Sequence, residues 1–353
     1  MREWITRFFM RLLVVVVLFA CTTEIAARLY MAIHFDTSFF RPSDVIYSYY
    51  PELKPILPQH LAPDDGVLDV LLLGASVFVM RDDHIPRLLS VRLHDEVPRH
   101  VRVHNASHTG HTSLDSLNKY RQLKDKRFDC VVFYHNINEI RANNAPDFVF
   151  REDYTQYAFY DEVQTIFRHD KMDWLAAPFV YELFLHRLQR RMGLREAFPF
   201  LPNEDWVQYG DSIKTVASFR RNLEGIARIA RERGDRLLLM KYAYHLPDSY
   251  SLEAFENDAL DYVIPPKTPI LTMRVEVEAW GEVQNVKKAL KAHNEVIEET
   301  AQKYPEVCYL DQEALMAGQG HYFIDVCHPS KEGTHFFVEN LLQKILECVP
   351  IPG

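Results

Sequence analysis

Ser76 closes the stretch Leu73-Gly74-Ala75-Ser76, where an apolar run ends, and a hydroxyl there is a candidate nucleophile. A second run leads into Asn105-Ala106-Ser107-His108-Thr109-Gly110-His111, in which Gly110 can bring a bare backbone N–H close to a reacting group. A third ends in Tyr134-His135-Asn136-Ile137-Asn138-Glu139, where Asn138 offers a side-chain amide. Near the C-terminus, Asp325-Val326-Cys327-His328 sets a carboxylate three residues before an imidazole, followed by Pro329 and by Ser330 as a helix cap. One serine after a strand says little. Four such ends together supply a nucleophile, two kinds of donor for a developing oxyanion, and a base held by a carboxylate.

Placing these groups at one edge needs a sheet whose strands all end on the same side. Short apolar runs bounded by turn residues predict strands at Leu68–Gly74, Val101–Asn105, Cys130–Tyr134, Arg236–Tyr244 and Val307–Leu310, each buried on both faces. Helical spacing separates them: Leu114, Leu117, Tyr120 and Leu123; Val216, Phe219, Leu223, Ile226 and Ile229; Val286, Leu290, His293 and Ile297; Phe337, Leu341 and Ile345. This alternation predicts an α/β fold, a three-layer and mainly parallel sheet. Residues 142–210 break the rhythm and read as a helical insertion carrying the amphipathic stretch Trp174–Met192. Residues 245–283 read as a proline- and acid-rich second insertion near the active edge. Across 353 residues, 48% hydrophobic and 25% charged composition provides a large core. The net charge of −9 argues against a nucleic-acid partner.

These blocks resemble the SGNH, or GDSL-like, hydrolase superfamily over roughly residues 67–348, and in particular its extracytoplasmic, membrane-anchored branch. The resemblance implies a flavodoxin-like sheet of order 2-1-3-4-5 and a serine esterase mechanism. It implies Ser76 as nucleophile, His328 as base and Asp325 as the partner that orients it. The oxyanion hole would be built from Ser76 N–H, Gly110 N–H and the Asn138 amide. No metal and no cofactor is implied.

Three blocks depart from the family pattern. Ala75 stands where Asp is common, Ser107 where related anchored members often carry glycine, and Asn136 and Glu139 flank the functional Asn138. His104, His108, His111 and His135 cluster near the same edge without the spacing of a zinc site, and read as loop or substrate-contact residues. Cys327 reads as a packing residue. Because a helix in an α/β unit returns to the end where strands begin, Cys308 and Cys348 are candidates for a disulfide.

At the N-terminus, Arg2, Arg7 and Arg11 precede the uncharged run Leu12–Thr23, which extends to about 20 residues if Phe8 to Met10 and Ile25 to Ala27 are counted. Glu24 and Arg28, one turn apart, are placed to pair at the far interface. Residues 1–35 thus read as an uncleaved anchor with a cytoplasmic N-terminus. A lipoprotein signal with Cys21 lipidated, a cleaved signal and a buried helix remain alternatives. Residues 36–66 read as a linker. The expected activity is removal of O-acyl groups, chiefly acetyl, from an extracytoplasmic small molecule, glycan or envelope polymer. The alternatives are transfer of the acyl group to a second hydroxyl by the same residues, and a catalytically silent binding module.

Overall fold

The computed structural model describes residues 2–62, 65–265 and 274–349. Five parallel strands, β1 Val67–Gly74, β2 His100–Asn105, β3 Cys130–Tyr134, β4 Arg236–Met240 and β5 Cys308–Leu310, form one sheet of order β2-β1-β3-β4-β5. The order and direction are those expected. β3 occupies the expected residues, and every side chain of it is buried, as two-sided packing requires.

β4 is shorter than the expected Arg236–Tyr244. Its partner β5 has only three residues, so the ladder runs out at Met240↔Leu310. Beyond it the backbone is satisfied by side chains: Tyr242 N–H donates to Asn294 Oδ1 (2.9 Å) and Ala243 N–H to the Tyr134 hydroxyl (3.1 Å). His245 N–H then donates to Val326 O at 2.9 Å, which ties the chain after β4 to the segment between Asp325 and His328.

Helices cover both faces. On one, α2 (Met80–Glu96) and α9 (Lys331–Cys348) bury Leu89, Leu93, Phe337 and Leu341 in a core shared with Leu68, Leu72 and Val132 of the sheet. On the other, Phe133 of β3 meets Phe219 of α7 (Thr215–Arg233), which packs with α3 (Ser113–Gln122) and α8 (Val283–Lys303). The disulfide Cys308–Cys348 joins the start of β5 to the end of α9, with Cα atoms 6.2 Å apart. Within 245–283, residues 266–273 lie outside the described residues.

The chain divides into two compact units, residues 52–153 with 201–353, and residues 1–51 with 154–200. The first holds the sheet. In the second, α1 (Arg2–Phe35) packs along α6 (Ala177–Arg191), and α5 (Ala158–Arg168) packs on α6. Residues 42–49 form short helical turns with Val45 and Ile46 buried. Glu24 and Arg28 pair at 2.6 Å. The most apolar part of α1 is not buried in the fold, and α1 is long and apolar enough to cross a membrane.

Candidate active site

β1 ends at Gly74, and the chain turns at Ala75 (φ −124°, ψ −143°) into a 3-10 turn over Ser76–Phe78 that leads into α2. That turn stops Ser76 at the carboxyl edge of the sheet, beside the point where strand order reverses between β1 and β3, where folds of this order bind their ligands. Ser76 is buried, and its Oγ lies 2.9 Å from His328 Nε2. On the other side of the ring, His328 Nδ1 lies 2.7 Å from Asp325 Oδ2 and 3.0 Å from Oδ1. With Asp325 ionised, Nδ1 carries the proton and Nε2 is left to accept from the Ser76 hydroxyl.

The Asp325 carboxylate is itself held. Oδ1 accepts the N–H groups of Cys327 (3.0 Å) and His328 (2.8 Å), and Oδ2 that of Val275 (3.0 Å). Burial pushes this carboxyl up, but the His328 charge and hydrogen bond, with the two backbone donors of its own loop, outweigh burial and hold it below the usual carboxylate range. For His328, burial pulls the imidazole down and the adjoining Asp325 carboxylate overcomes it, so the net shift is well upward.

The loop carrying both residues is closed at its ends. Ile324 N–H donates to His328 O (2.9 Å), Ser330 N–H to Tyr322 O (2.8 Å), and Ser330 Oγ caps α9 by accepting from Gly333 N–H (3.0 Å). Burial pushes the Cys327 thiol up, so it is a neutral thiol with Sγ 3.6 Å from His328 Nδ1. Asp325, Cys327 and His328 hold ligand-type atoms within 4.8 Å of one another. The Nδ1–carboxylate hydrogen bond and the protonated thiol fit a hydrogen-bonded pair better than a metal centre, whose thiol and imidazole ligands must shed those protons.

Gly110 sits at φ +81°, a conformation that favours glycine. Asn138 opens α4 (Asn138–Asn143); its Nδ2 donates to His111 O (2.9 Å) and its Oδ1 accepts from Trp280 Nε1 (3.3 Å). The loops after β2 and β3 are thereby joined to each other. Among the described residues, no hydrogen bond links Gly110 N–H or the Asn138 amide to Ser76 or His328.

The residues that depart from the resembled motifs have structural partners. Asn136 donates to Leu290 O (2.8 Å) and Asn294 Oδ1 (2.9 Å) and bonds His293 Nδ1, anchoring α8. Glu139 accepts from Ser113 N–H at the start of α3, where the helix dipole favours a carboxylate. Ser107 N–H donates to Asn105 Oδ1 (3.0 Å), and its buried hydroxyl has no hydrogen-bond partner among the described residues. Of the four histidines, His104 turns to Asp69 (2.8 Å) and His135 to Ser116 (2.6 Å), while His108 stacks on His111 (4.5 Å). They do not converge on one point.

Sequence reasoning missed Val275, Trp280, Gly333 and Lys119, whose ammonium is buried between Glu52 and Ala106 O. Gly333 carried a usable cue, since the chain has only 12 glycines and this one follows the Asp-x-x-His segment. A cleft of about 460 Å³ opens beside that segment, lined by Val263, His321, Ser330, Lys331, Glu332 and His335.

No protein-family model and no curated protein matches the chain. Some solved structures resemble it distantly. A GDSL-like lipase from Bacteroides thetaiotaomicron is 12% identical, with 85% of this chain and 97% of that chain covered, at a TM-score of 0.46. A lipase/acylhydrolase from Enterococcus faecalis is 14% identical, covering 81% and 99%, at 0.42. An acetylxylan esterase from Geobacillus stearothermophilus is 11% identical, covering 79% and 94%, at 0.40.

Proposed function

We propose that this chain is an SGNH-type serine ester hydrolase that removes O-acyl groups, chiefly acetyl, from an extracytoplasmic glycan or envelope substrate. The observation that carries the reading is the continuous buried chain Ser76 Oγ–His328 Nε2 at 2.9 Å and His328 Nδ1–Asp325 Oδ2 at 2.7 Å. As Ser76 Oγ bonds to the ester carbonyl carbon, His328 Nε2 takes its proton, and Asp325 favours the imidazolium that forms. The carbonyl oxygen gains the negative charge and is met by Ser76 N–H, Gly110 N–H and the Asn138 amide. His328 then gives its proton to the departing alcohol oxygen. Water, deprotonated by the same imidazole, attacks the acyl-serine and releases the acid. The scheme uses no metal and no cofactor.

In this reading residues 1–35 anchor the protein with the N-terminus in the cytoplasm, and the 67–348 segment acts outside it. The Arg2, Arg7 and Arg11 flank and the unburied apolar helix support that orientation. A fluorophosphonate probe tests the chemistry. Wild type should be labelled, Ser76→Ala not at all, and His328→Ala only weakly; equal labelling of wild type and Ser76→Ala would overturn the proposal. Release of the donor's alcohol and of free acetate, each measured with and without a sugar acceptor, separates the two fates of the acyl group. Fast release of both alcohol and acetate in water alone supports hydrolysis, and alcohol release that needs the acceptor, with the acetyl group found on the sugar, supports transfer.

A further inference from the structure

Glu24 and Arg28 do more than pair with each other. Glu24 accepts the N–H groups of Ala176 (2.9 Å) and Ala177 (3.0 Å) at the start of α6. Arg28 donates to Phe39 O (3.1 Å) and Asp173 O (2.7 Å). Ser43 closes the set through its N–H and hydroxyl to Asp173, at 2.9 and 2.8 Å. Two stretches of chain, residues 39–43 and 173–177, are therefore pinned at one level of α1, immediately past its uncharged run. From there α6 follows α1 away from that run, since Phe184 meets Tyr30 at 5.0 Å and Arg187 donates to its hydroxyl.

At the pinned level the large apolar side chains point outward. Trp174 is 86% exposed, Phe40 79% and Leu175 54%, with Ile25 and Leu29 of α1 about half exposed. A soluble surface gains nothing from a tryptophan, a phenylalanine and a leucine held in water around one polar knot. Arg7 to Glu24 spans about 25 Å of helix, close to the hydrocarbon thickness of roughly 30 Å. The knot thus falls where the bilayer must end if α1 spans it, and tryptophan is enriched at that depth.

We propose that Trp174, Leu175 and Phe40 form a collar that inserts into the headgroup region of the membrane that α1 crosses. The collar sets the depth of α1, and the Glu24–Arg28 pair carries it on the helix. Its occupant is lipid, because exposed apolar side chains are held beside the helix at the level where its own uncharged apolar run stops. The inference rests on the anchor reading above.

The test uses the full chain in phosphatidylcholine–phosphatidylglycerol vesicles, with benzoylphenylalanine placed singly at position 174, 40 or 19, irradiated and analysed by mass spectrometry. Trp174, Phe40 and Phe19 are all largely exposed, so the replacements leave packing intact. Lipid adducts at 174 and 40 of the same order as at 19 are expected. Lipid at 19 with none at 174 and 40 would overturn the collar while leaving the anchor standing. Cross-linked dimers at 174 in place of lipid would overturn it in favour of a second copy. No lipid at 19 or at the collar would overturn the anchor and the collar together.

Discussion

Gly333 and Tyr322 meet so closely that a Cβ on Gly333 would fall far inside van der Waals contact distance of the Tyr322 carbonyl oxygen. The same carbonyl accepts Ser330 N–H. The first turn of α9 and the start of the loop bearing Asp325 and His328 are therefore clamped at a point that only glycine permits. Gly333→Ala should force them apart, with a stability loss of about 1–3 kcal/mol, as for overpacked cores. Because the loop itself must move, kcat should fall further than that loss accounts for. Thermal unfolding and ester kinetics on the same preparation check this; a wild-type kcat would refute it.

The upward shift of His328 sets the pH dependence. A protonated imidazole cannot take the Ser76 proton, so kcat/KM should fall as pH drops through the His328 pKa. The midpoint should lie above 6.5 because the buried Asp325 carboxylate raises it. Asp325→Asn removes that charge, so it should move the midpoint down and lower kcat by on the order of 10³–10⁴. A pH–rate profile with a midpoint below about 6 in the wild type would contradict this account.

The proposed oxyanion donors give a separate prediction. Asn138→Ala should lower kcat by about 10²–10³ with little change in KM. Gly110→Ala meets no neighbouring atom within 4 Å, so any effect comes from the backbone at φ +81°. The strain is about 1–2 kcal/mol for an ordinary residue, and Gly110→Asn should be better tolerated than alanine. Steady-state kinetics of the three variants decide it; if Asn138→Ala keeps wild-type kcat, its amide is structural only.

Buried histidines other than His328, namely His111, His135 and His293, are held well below 6.5 by burial and should weigh on acid sensitivity. Burial lowers His293 to about 3, and burial followed by the nearby Lys119 charge lowers His135 to about 3. Unfolded histidine titrates near 6.5. Between those values the unfolded chain binds more protons, so stability is complete above about 6.5 and is lost as pH falls toward 3. Each histidine costs about 1.4 kcal/mol per pH unit there, or about 4 kcal/mol for the pair at pH 5. Denaturant titrations at pH 7 and 5 should show at least this loss, and His293→Gln should remove about 2 kcal/mol of it. An unchanged slope in that variant would contradict the assignment.

What the sequence disclosed follows from how local each signal is. β3 was readable because Cys130–Tyr134 is an unbroken apolar run between polar ends, and the Cys308–Cys348 pairing because an α/β unit brings a helix end back to a strand start. The meeting of Ser76 with His328 follows from Ser76 directly ending β1 and His328 lying in the long connection from β5 to α9. The end of β4 was misjudged because it depends on the length of β5, which lies much later in the chain. Val275, Trp280 and Lys119 were invisible for a related reason. Their roles are hydrogen bonds to Asp325, Asn138 and Ala106, and no local pattern encodes such partners. Asn136 and Glu139, departures in a motif, are explained by the helices they anchor.

The most direct measurement is peptide mass spectrometry of the full chain quenched in acid during turnover of an activated acetyl ester. The account predicts one acetyl group on the peptide containing Ser76, enriched in Asn138→Ala if deacylation slows, and absent from Ser76→Ala. Continued turnover by Ser76→Ala at the wild-type rate, with no acetyl on that peptide in the wild type, would contradict it.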